Sequence, residues 1–346
     1  MVSLSYDDVL LVPQYSDIKS RSEIDISTLI GGRWSKPIFL CLPIISSPMD
    51  TITGPAMANA MNWSGAMGII HRYCTVDEQA RMVREIEQAV PFTQQVRHKA
   101  AAIGVTGDYH DRAKALVAMG AEILCIDVAH GHHILMEAAL KQLRDTFGAT
   151  VHLMAGNVAT LEGVNALSDW GADSVRCNIG GGSICSTRIQ TGHGHPGLQT
   201  IIDCSMTDRE VTIIADGGIR NSGDIVKAMA AGADCVMIGS LLSGTPETPG
   251  EVIYKNGMPH KTYRGMASAE AQNDWRGSAS SLEGISTQLR CKPPVKEVLR
   301  EMERGIRSGF SYSGTRCLAE LQSKAVFTRQ TAAGRRESNT HILEQE

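Results

Sequence analysis

The sequence predicts an α/β protein, a (β/α)8 TIM barrel forming a single domain, on three observations. Eight short apolar runs recur at a steady interval, amphipathic helical patterns lie between them, and the residues of unusual composition fall directly after the runs. Strands that are apolar almost throughout fit a parallel sheet covered on both faces, and intervening helices fit crossover connections. The loops after the carboxyl ends of such strands build the active site of a barrel.

In chain order the runs are IFLCLPIIS from 38, AMGIIH from 66, AAIGV from 101, EILCIDVA from 122, HLMAGNV from 152, SVRCNIG from 174, TIIADGG from 212 and CVMIGS from 235. Helical periodicity appears at 76–90, 110–121, 161–172 and 221–233, and again in PVKEVLREMERGIRSGF, which closes the barrel. The loop sequences SSPMD, HRYC, DVAHGHH, GNVAT, GGGSICSTR, DGGIR and IGS follow strands one, two, four, five, six, seven and eight. Two connections exceed simple turns: a catalytic loop at 181–196 after strand six, and 241–292 after strand eight. The second shows no clear period and reads as a mobile flap over bound ligands. A polar tail at about 325–346 is expected to be partly disordered.

Over 346 residues, 42% hydrophobic and 20% charged residues with a net charge of −4 describe a globular protein without a basic face. That argues against a nucleic-acid or membrane partner and for a small molecule. No apolar run reaches the roughly 20 residues of a membrane span, and the first residues carry acid where a signal peptide carries base, so a cytoplasmic protein is expected. Nine cysteines form no C-x-x-C pair. Cys41, Cys125, Cys177 and Cys235 lie within apolar runs and read as inert core thiols in a reducing compartment.

Chemistry concentrates at one corner of the rim. Gly180 to Gly182 with Ser183, the Asp216-Gly217-Gly218 step and the Gly239–Ser240 pair bring backbone N–H groups and hydroxyls beside strands six, seven and eight, where barrels frequently bind phosphate. Cys185 lies in a loop, so its thiolate is placed to attack an electrophilic carbon, with Thr187 as a hydroxyl for proton traffic; spacing alone equally allows a small buried residue. Asp216 and Asp127 end strands with carboxylates at the mouth, suited to ribose hydroxyls or, alternatively, to capping a helix. The histidines of HGHH at 130–133 and GHGH at 192–195 lack the spacing and acidic companions of a zinc site and read as polar loop residues.

With these residues placed, the chain resembles the IMP dehydrogenase/GMP reductase family from LSYDDVLLVP to SYSG. The G-x-G-S-[IV]-C-x-T loop is matched at Gly180 to Thr187, with GNV at 156–158, ADGGI at 215–219, MIGS at 237–240 and YRGM at 263–266. The resemblance implies a (β/α)8 barrel in which Cys185 attacks purine C2 to give a covalent thioimidate. By the same resemblance Ser183, Gly218, Gly239, Ser240 and Tyr263 hold the phosphate, with Gly217 beside them, and Asp216 holds the ribose. Met266 meets the base through its backbone, flanked by Gly265 and Ala267, and Ser47 and Met49 complete the nucleotide contacts. Asp127, Val128, Ala129, Asn157, Asn178 and Gly180 meet a nicotinamide cofactor, NADPH or NADH. Backbone carbonyls of Gly180, Gly182 and Cys185 resemble a monovalent-cation site, with K+ the implied occupant. A homotetramer or higher assembly is implied.

Within the family, dehydrogenases are similar to one another in a flap Arg-Tyr pair that activates water. The flap here, ASAEAQNDWRGSASSL, has no such step. Reductases use a Thr and a Glu, matched by Thr187 and Glu283. The short link at 91–100, where dehydrogenases commonly carry an inserted regulatory domain, leans the same way, whereas SSPMDT at 46–51 and CTVDEQARMVREI at 74–86 resemble dehydrogenases. Arg72 stands where reductases often have lysine, Asn178 replaces a usual glycine and Gly181 a usual proline. The expected activity is NADPH-dependent reductive deamination of GMP to IMP and ammonia. The alternatives are an IMP dehydrogenase lacking the insert, with Trp275-Arg276 activating water, and a nucleotide-binding barrel without turnover. No arginine stands out in the sequence as a partner for a 2′-phosphate, which leaves NADPH and NADH both open.

Overall fold

Eight strands close into the barrel in chain order: β1 (Ile44–Ser46), β2 (Met67–Ile70), β3 (Ala100–Ile103), β4 (Ile123–Asp127), β5 (His152–Val158), β6 (Ser174–Cys177), β7 (Thr212–Asp216) and β8 (Cys235–Ile238). The structure, a computed structural model, describes residues 2–87, 97–280 and 282–338. Every neighbouring pair is parallel, and β8 returns to β1 with Val236 opposite Ile44. Outside lie α1 (Pro55–Trp63), α2 (Val76–Arg84), α3 (Tyr109–Ala118), α4 (Ile134–Phe147), α5 (Leu161–Asp169), α6 (Gly197–Cys204), α7 (Ser222–Ala230) and α8 (Val295–Tyr312).

Alternation along each strand feeds two cores. Ile45, Met67, Ile69, Ala102, Cys125 and Met154 fill the barrel interior, while Ile44, Ile70, Leu124 and Leu153 point outward against the helices. Burial on both faces is why these strands read as continuous apolar runs. The helices present one stripe each; in α8 it is Leu299, Met302, Ile306 and Phe310, at the spacing of a helix face. The start of α2 is fixed by a reciprocal cap, Thr75 accepting from the Glu78 N–H while Glu78 accepts from that of Thr75.

The structure differs from several expectations. The first apolar run is two strands: Ile38–Leu40 pairs antiparallel with Thr28–Ile30, and only Ile44–Ser46 joins the barrel. Pro43, without an N–H, separates them. The hairpin plugs the floor, placing Ile30, Ile38 and Leu40 in the interior core, and Thr212 at the start of β7 exchanges hydrogen bonds with both polar groups of Gly31 at 2.7 and 2.8 Å. Cys41 falls in the bend between the strands and is exposed. The flap has regular structure: β9 (Ile253–Lys255), β10 (Met258–Arg264) and β11 (Ser286–Arg290) form an antiparallel sheet, and Ala269–Arg276 is a helix capped by Ser268. The start of the polar tail is ordered too, Phe327–Arg329 pairing with Val9–Leu11 and Ala332–Glu337 forming a helix. The helix expected over 76–90 stops at Arg84. Residues 88–96, which hold most of the 91–100 link, and 339–346, the end of the tail, lie outside the described residues.

Candidate active site

At the carboxyl ends of the strands lies a cavity of about 350 Å³, within the range of small-molecule sites. The loop after β6 enters it through three glycines, and the residue that follows them matters less for identity than for reach: Ser183 Oγ lies 3.3 Å from the Tyr263 hydroxyl of β10. Burial raises the Tyr263 phenol above its usual range, against opposing bonds from Ser183 and Ser240, so it stays a neutral donor. Around it the backbone comes close. A Cβ on Gly239 would lie 3.2 Å from Met49 Sδ, 3.4 Å from Tyr263 Oη and 3.5 Å from Ser47 Oγ; one on Gly217, at φ +84°, would meet the Gly182 nitrogen at 3.3 Å. A donor-rich cradle that a side chain would fill is suited to a phosphate.

Cys185 sits on this loop, half-buried, with its N–H on the Gly182 carbonyl at 3.1 Å. Its thiol donates to Thr187 Oγ1 at 3.1 Å, and that hydroxyl donates to Glu283 Oε2 at 2.7 Å. The three form a continuous hydrogen-bonded chain from sulfur to carboxylate. The flap is held in place by main chain: Ser186 N–H donates to the Glu283 carbonyl at 2.9 Å, Ile285 N–H to the Ile184 carbonyl at 3.0 Å, and Glu283 N–H to the Ala267 carbonyl at 3.2 Å. Such approach needs Gly284, where a Cβ would lie 3.1 Å from the Ser268 nitrogen. Arg264 anchors the flap to the loop after β1, with Nη2 2.6 Å from Asp50 Oδ2. By contrast burial pushes the Cys125 thiol up to about 11 and the Cys177 and Cys235 thiols well above their usual value, so these are inert.

Across the mouth stands a group that sequence reading missed. Arg176, buried inside β6, reaches Asp127 Oδ1 with Nη2 at 2.6 Å, Asp216 Oδ2 with Nε at 3.0 Å and Cys125 Sγ with Nη1 at 2.9 Å. Asn157 accepts from Arg176 and donates to Asp216 Oδ2 at 2.9 Å and to the Asn178 carbonyl at 3.0 Å. Asp216 is therefore an ion-pair partner as well as a mouth residue, and Asp127 likewise; neither caps the following helix, a role taken by Asn221 for α7 and by His133 for α4. The one available signal was a charge within the apolar run SVRCNIG. Arg72 and Tyr73, from the rim loop HRYC after β2, also line the cavity, although neither was among the expected binding residues.

All of Ser47, Met49, Asp127, Val128, Ala129, Asn157, Asn178, Gly180, Gly182, Ser183, Cys185, Thr187, Asp216, Gly217, Gly218, Gly239, Ser240, Tyr263, Gly265, Met266, Ala267 and Glu283 line this one cavity. Trp275 and Arg276 do not; they line a neighbouring one. No group of three or more His, Cys, Asp or Glu able to hold a metal occurs among the described residues, and His133 and His195 are engaged with the Leu135 N–H and Thr200. The Asp127 carboxylate and the Asn157 amide line the same cavity as Cys185, and polar groups of this kind fit the carboxamide of a nicotinamide.

Comparison with known proteins bears on the chain as a whole. The description "IMP dehydrogenase / GMP reductase domain" matches residues 3–341. The chain is 31% identical to the inosine-5′-monophosphate dehydrogenase of Nitrosopumilus maritimus, covering 98% of each, and 31% identical to the GMP reductase of Leishmania major, covering 98% of this chain and 97% of the relative. A crystal structure of GMP reductase from Trypanosoma brucei in complex with guanosine 5′-monophosphate superimposes with a TM-score of 0.92 at 30% identity over 99% of this chain and 98% of that one. A closed eight-stranded barrel, a cysteine relay at its mouth and these matches lead to one conclusion: the chain belongs to the IMP dehydrogenase / GMP reductase family.

Proposed function

We propose that this chain is a GMP reductase, converting GMP, a reduced nicotinamide nucleotide and a proton to IMP, ammonia and the oxidised nucleotide. The observation that carries the reading is the contact of Thr187 with both Cys185 Sγ, at 3.1 Å, and Glu283 Oε2, at 2.7 Å. Ammonia is a poor leaving group until protonated, and a hydroxyl shared between thiol and carboxylate is a path for that proton. The Cys185 thiolate forms a bond to C2 of GMP while its proton passes through Thr187 toward Glu283. The C2–N bond breaks as the relay returns a proton to the departing nitrogen. A bound reduced nicotinamide supplies the hydride for C2. Thiolate then leaves as the C2–S bond breaks, giving IMP.

The nucleotide phosphate is held by Ser183, Gly218, Gly239, Ser240 and Tyr263, and Met266 orients the base. Asp127, Asn157 and Arg176 orient the nicotinamide amide. A monovalent cation, K+, on the carbonyls of Gly180, Gly182 and Cys185 belongs to this reading; the Gly182 carbonyl, which accepts one N–H, keeps a second lone pair for it. The position of Trp275 and Arg276 away from the Cys185 cavity counts against their activating water in a dehydrogenase. Absorbance at the reduced-nicotinamide band decides between the two. Purified protein is given GMP with NADPH in one cuvette and IMP with NAD and potassium in another. A fall in the first with no change in the second is expected; a rise in the second alone overturns the assignment in favour of the dehydrogenase.

A further inference from the structure

The turn after β8 reaches the cavity on one side and is held from behind by a lysine. Leu242 and Ser243 both donate their N–H to the Gly239 carbonyl, at 3.0 and 3.1 Å, which coils Gly239 to Ser243 tightly. The N–H groups of Ser240 and Leu241 have no acceptor among the described residues, and Ser240 lines the cavity beside Tyr263. The peptide that joins these two residues is taken up on its other side. Its carbonyl, that of Ser240, accepts from Lys292 Nζ at 2.8 Å and from Ser243 Oγ at 2.7 Å. Lys292 Nζ donates also to the Leu241 carbonyl at 3.1 Å. Lys292 follows β11, and its own N–H donates to the Gly244 carbonyl at 2.8 Å, so the backbone fixes where the ammonium stands.

Charge sets this lysine apart. Lys292 is half-buried, no carboxylate pairs with it among the described residues, and burial alone holds its ammonium below the usual lysine range. Lys261, on β10, secures the next stretch of the loop through the Pro246 and Thr248 carbonyls at 3.1 and 2.6 Å, but it faces Glu247 and Cys291. The two arginines on the cavity wall, Arg72 and Arg176, are both paired with Asp127. A cation drawn out of water without a counter-ion is costly until an anion joins it. A phosphate ester at Ser240 brings that counter-charge.

We propose that Lys292 is the positioning residue that matches the second negative charge of the nucleotide phosphate, acting through the Ser240–Leu241 peptide. The ammonium polarises the Ser240 carbonyl, the N–H of the same peptide becomes a stronger donor, and the charge acts across the width of one peptide. The site thereby selects a doubly charged group over a singly charged one of the same shape. The inference deepens the reductase reading and rests on the phosphate lying at Ser240 and Tyr263.

The test is isothermal titration with GMP and with guanosine 5′-sulfate, its singly charged isostere, at about pH 8, where a phosphate monoester with a second pKa of about 6 is a dianion. Wild-type protein is expected to bind GMP at least about tenfold more tightly than the sulfate. Lys292→Gln keeps a donor for the turn without the charge and brings the two probes to within about threefold of each other. Lys292→Arg restores the preference. In Lys292→Gln the KM for GMP rises by a larger factor than kcat falls. Ser243→Ala, which removes the neutral donor from the same carbonyl, weakens both probes alike.

A wild type indifferent to the second charge overturns the proposal, whether or not any variant folds. So does a preference that survives Lys292→Gln, because a lysine that merely builds the turn weakens both probes in proportion. If the preference depends on Lys292 but GMP elicits no cofactor oxidation, the reaction has been misread and the charge match stands. If GMP is reduced by a wild type without the preference, the reaction stands and the role of Lys292 falls.

Discussion

Replacing Arg176 by Met leaves Asp127 and Asp216 facing each other without the cation that joins them, and it strands two carboxylates that are largely buried. Breaking a buried pair in this way costs about 3–5 kcal/mol, so Arg176→Met should unfold at markedly lower urea concentration than wild type. The relay residues should behave otherwise. Cys185→Ala is expected to abolish turnover while calorimetry still records GMP binding, because the phosphate cradle is built from other groups; loss of binding with turnover kept would refute the role. Glu283→Gln keeps the shape of the flap and removes the proton acceptor, with kcat expected to fall about 10²–10⁴-fold at little change in the affinity for GMP.

At the scale of the loop after β6, Asn178 and Gly181 form one fitted pair. Asn178 has φ 152°, a region that favours glycine, and its amide donates to the Gly217 carbonyl at 3.2 Å. That amide occupies the space over Gly181, where a Cβ would lie 2.1 Å from Nδ2. Gly181→Ala is therefore expected to lower both Tm and kcat, and adding Asn178→Gly should restore them, a coupling that a double-mutant cycle reads directly. Full additivity would show that the two positions do not share space. The sequence announced that both residues were unusual for their positions, but the reason needed the fold. The same contrast holds between elements. Barrel strands such as Ile123–Asp127 were legible because burial on both faces leaves little polar in them. The flap strand Met258–Arg264 mixes exposed and buried positions with Pro, His and Lys, so it carries no period to read. The Cys185, Thr187 and Glu283 constellation was legible from motif order, whereas Arg176 was not, since a lone charge in an apolar run says nothing of its partners.

For the whole molecule, two buried groups titrate against each other. Burial lowers His152 to about 4, with Asp173 opposing, and raises Asp234 to about 6, with the Ile213 N–H opposing. Between about 4 and 6.5 the unfolded chain takes a proton on His152 that the folded chain refuses, so this group makes stability rise with pH. Between 3.8 and about 6 the folded chain keeps a proton on Asp234 that the unfolded chain has lost, so this group makes stability fall with pH. The two nearly offset across the same window. Chemical denaturation from pH 4 to 6.5 should therefore tilt in opposite senses for two variants relative to wild type: upward with pH for Asp234→Asn, downward for His152→Gln. A shared tilt would contradict the opposition.

The hydrogen bonds that seat the flap, from Ser186 to the Glu283 carbonyl and from Ile285 to the Ile184 carbonyl, are also those that bring the carboxylate to Thr187. Lifting the flap thus does two things at once: it admits solvent and it removes the proton acceptor. On the reductase reading, an open molecule loses the proton acceptor together with the flap's share of the nucleotide contacts, Tyr263 and Met266, whereas a closed one is already armed. On that reading the same backbone hydrogen bonds act as an interlock, in which exposure and reactivity exclude each other without any separate switch.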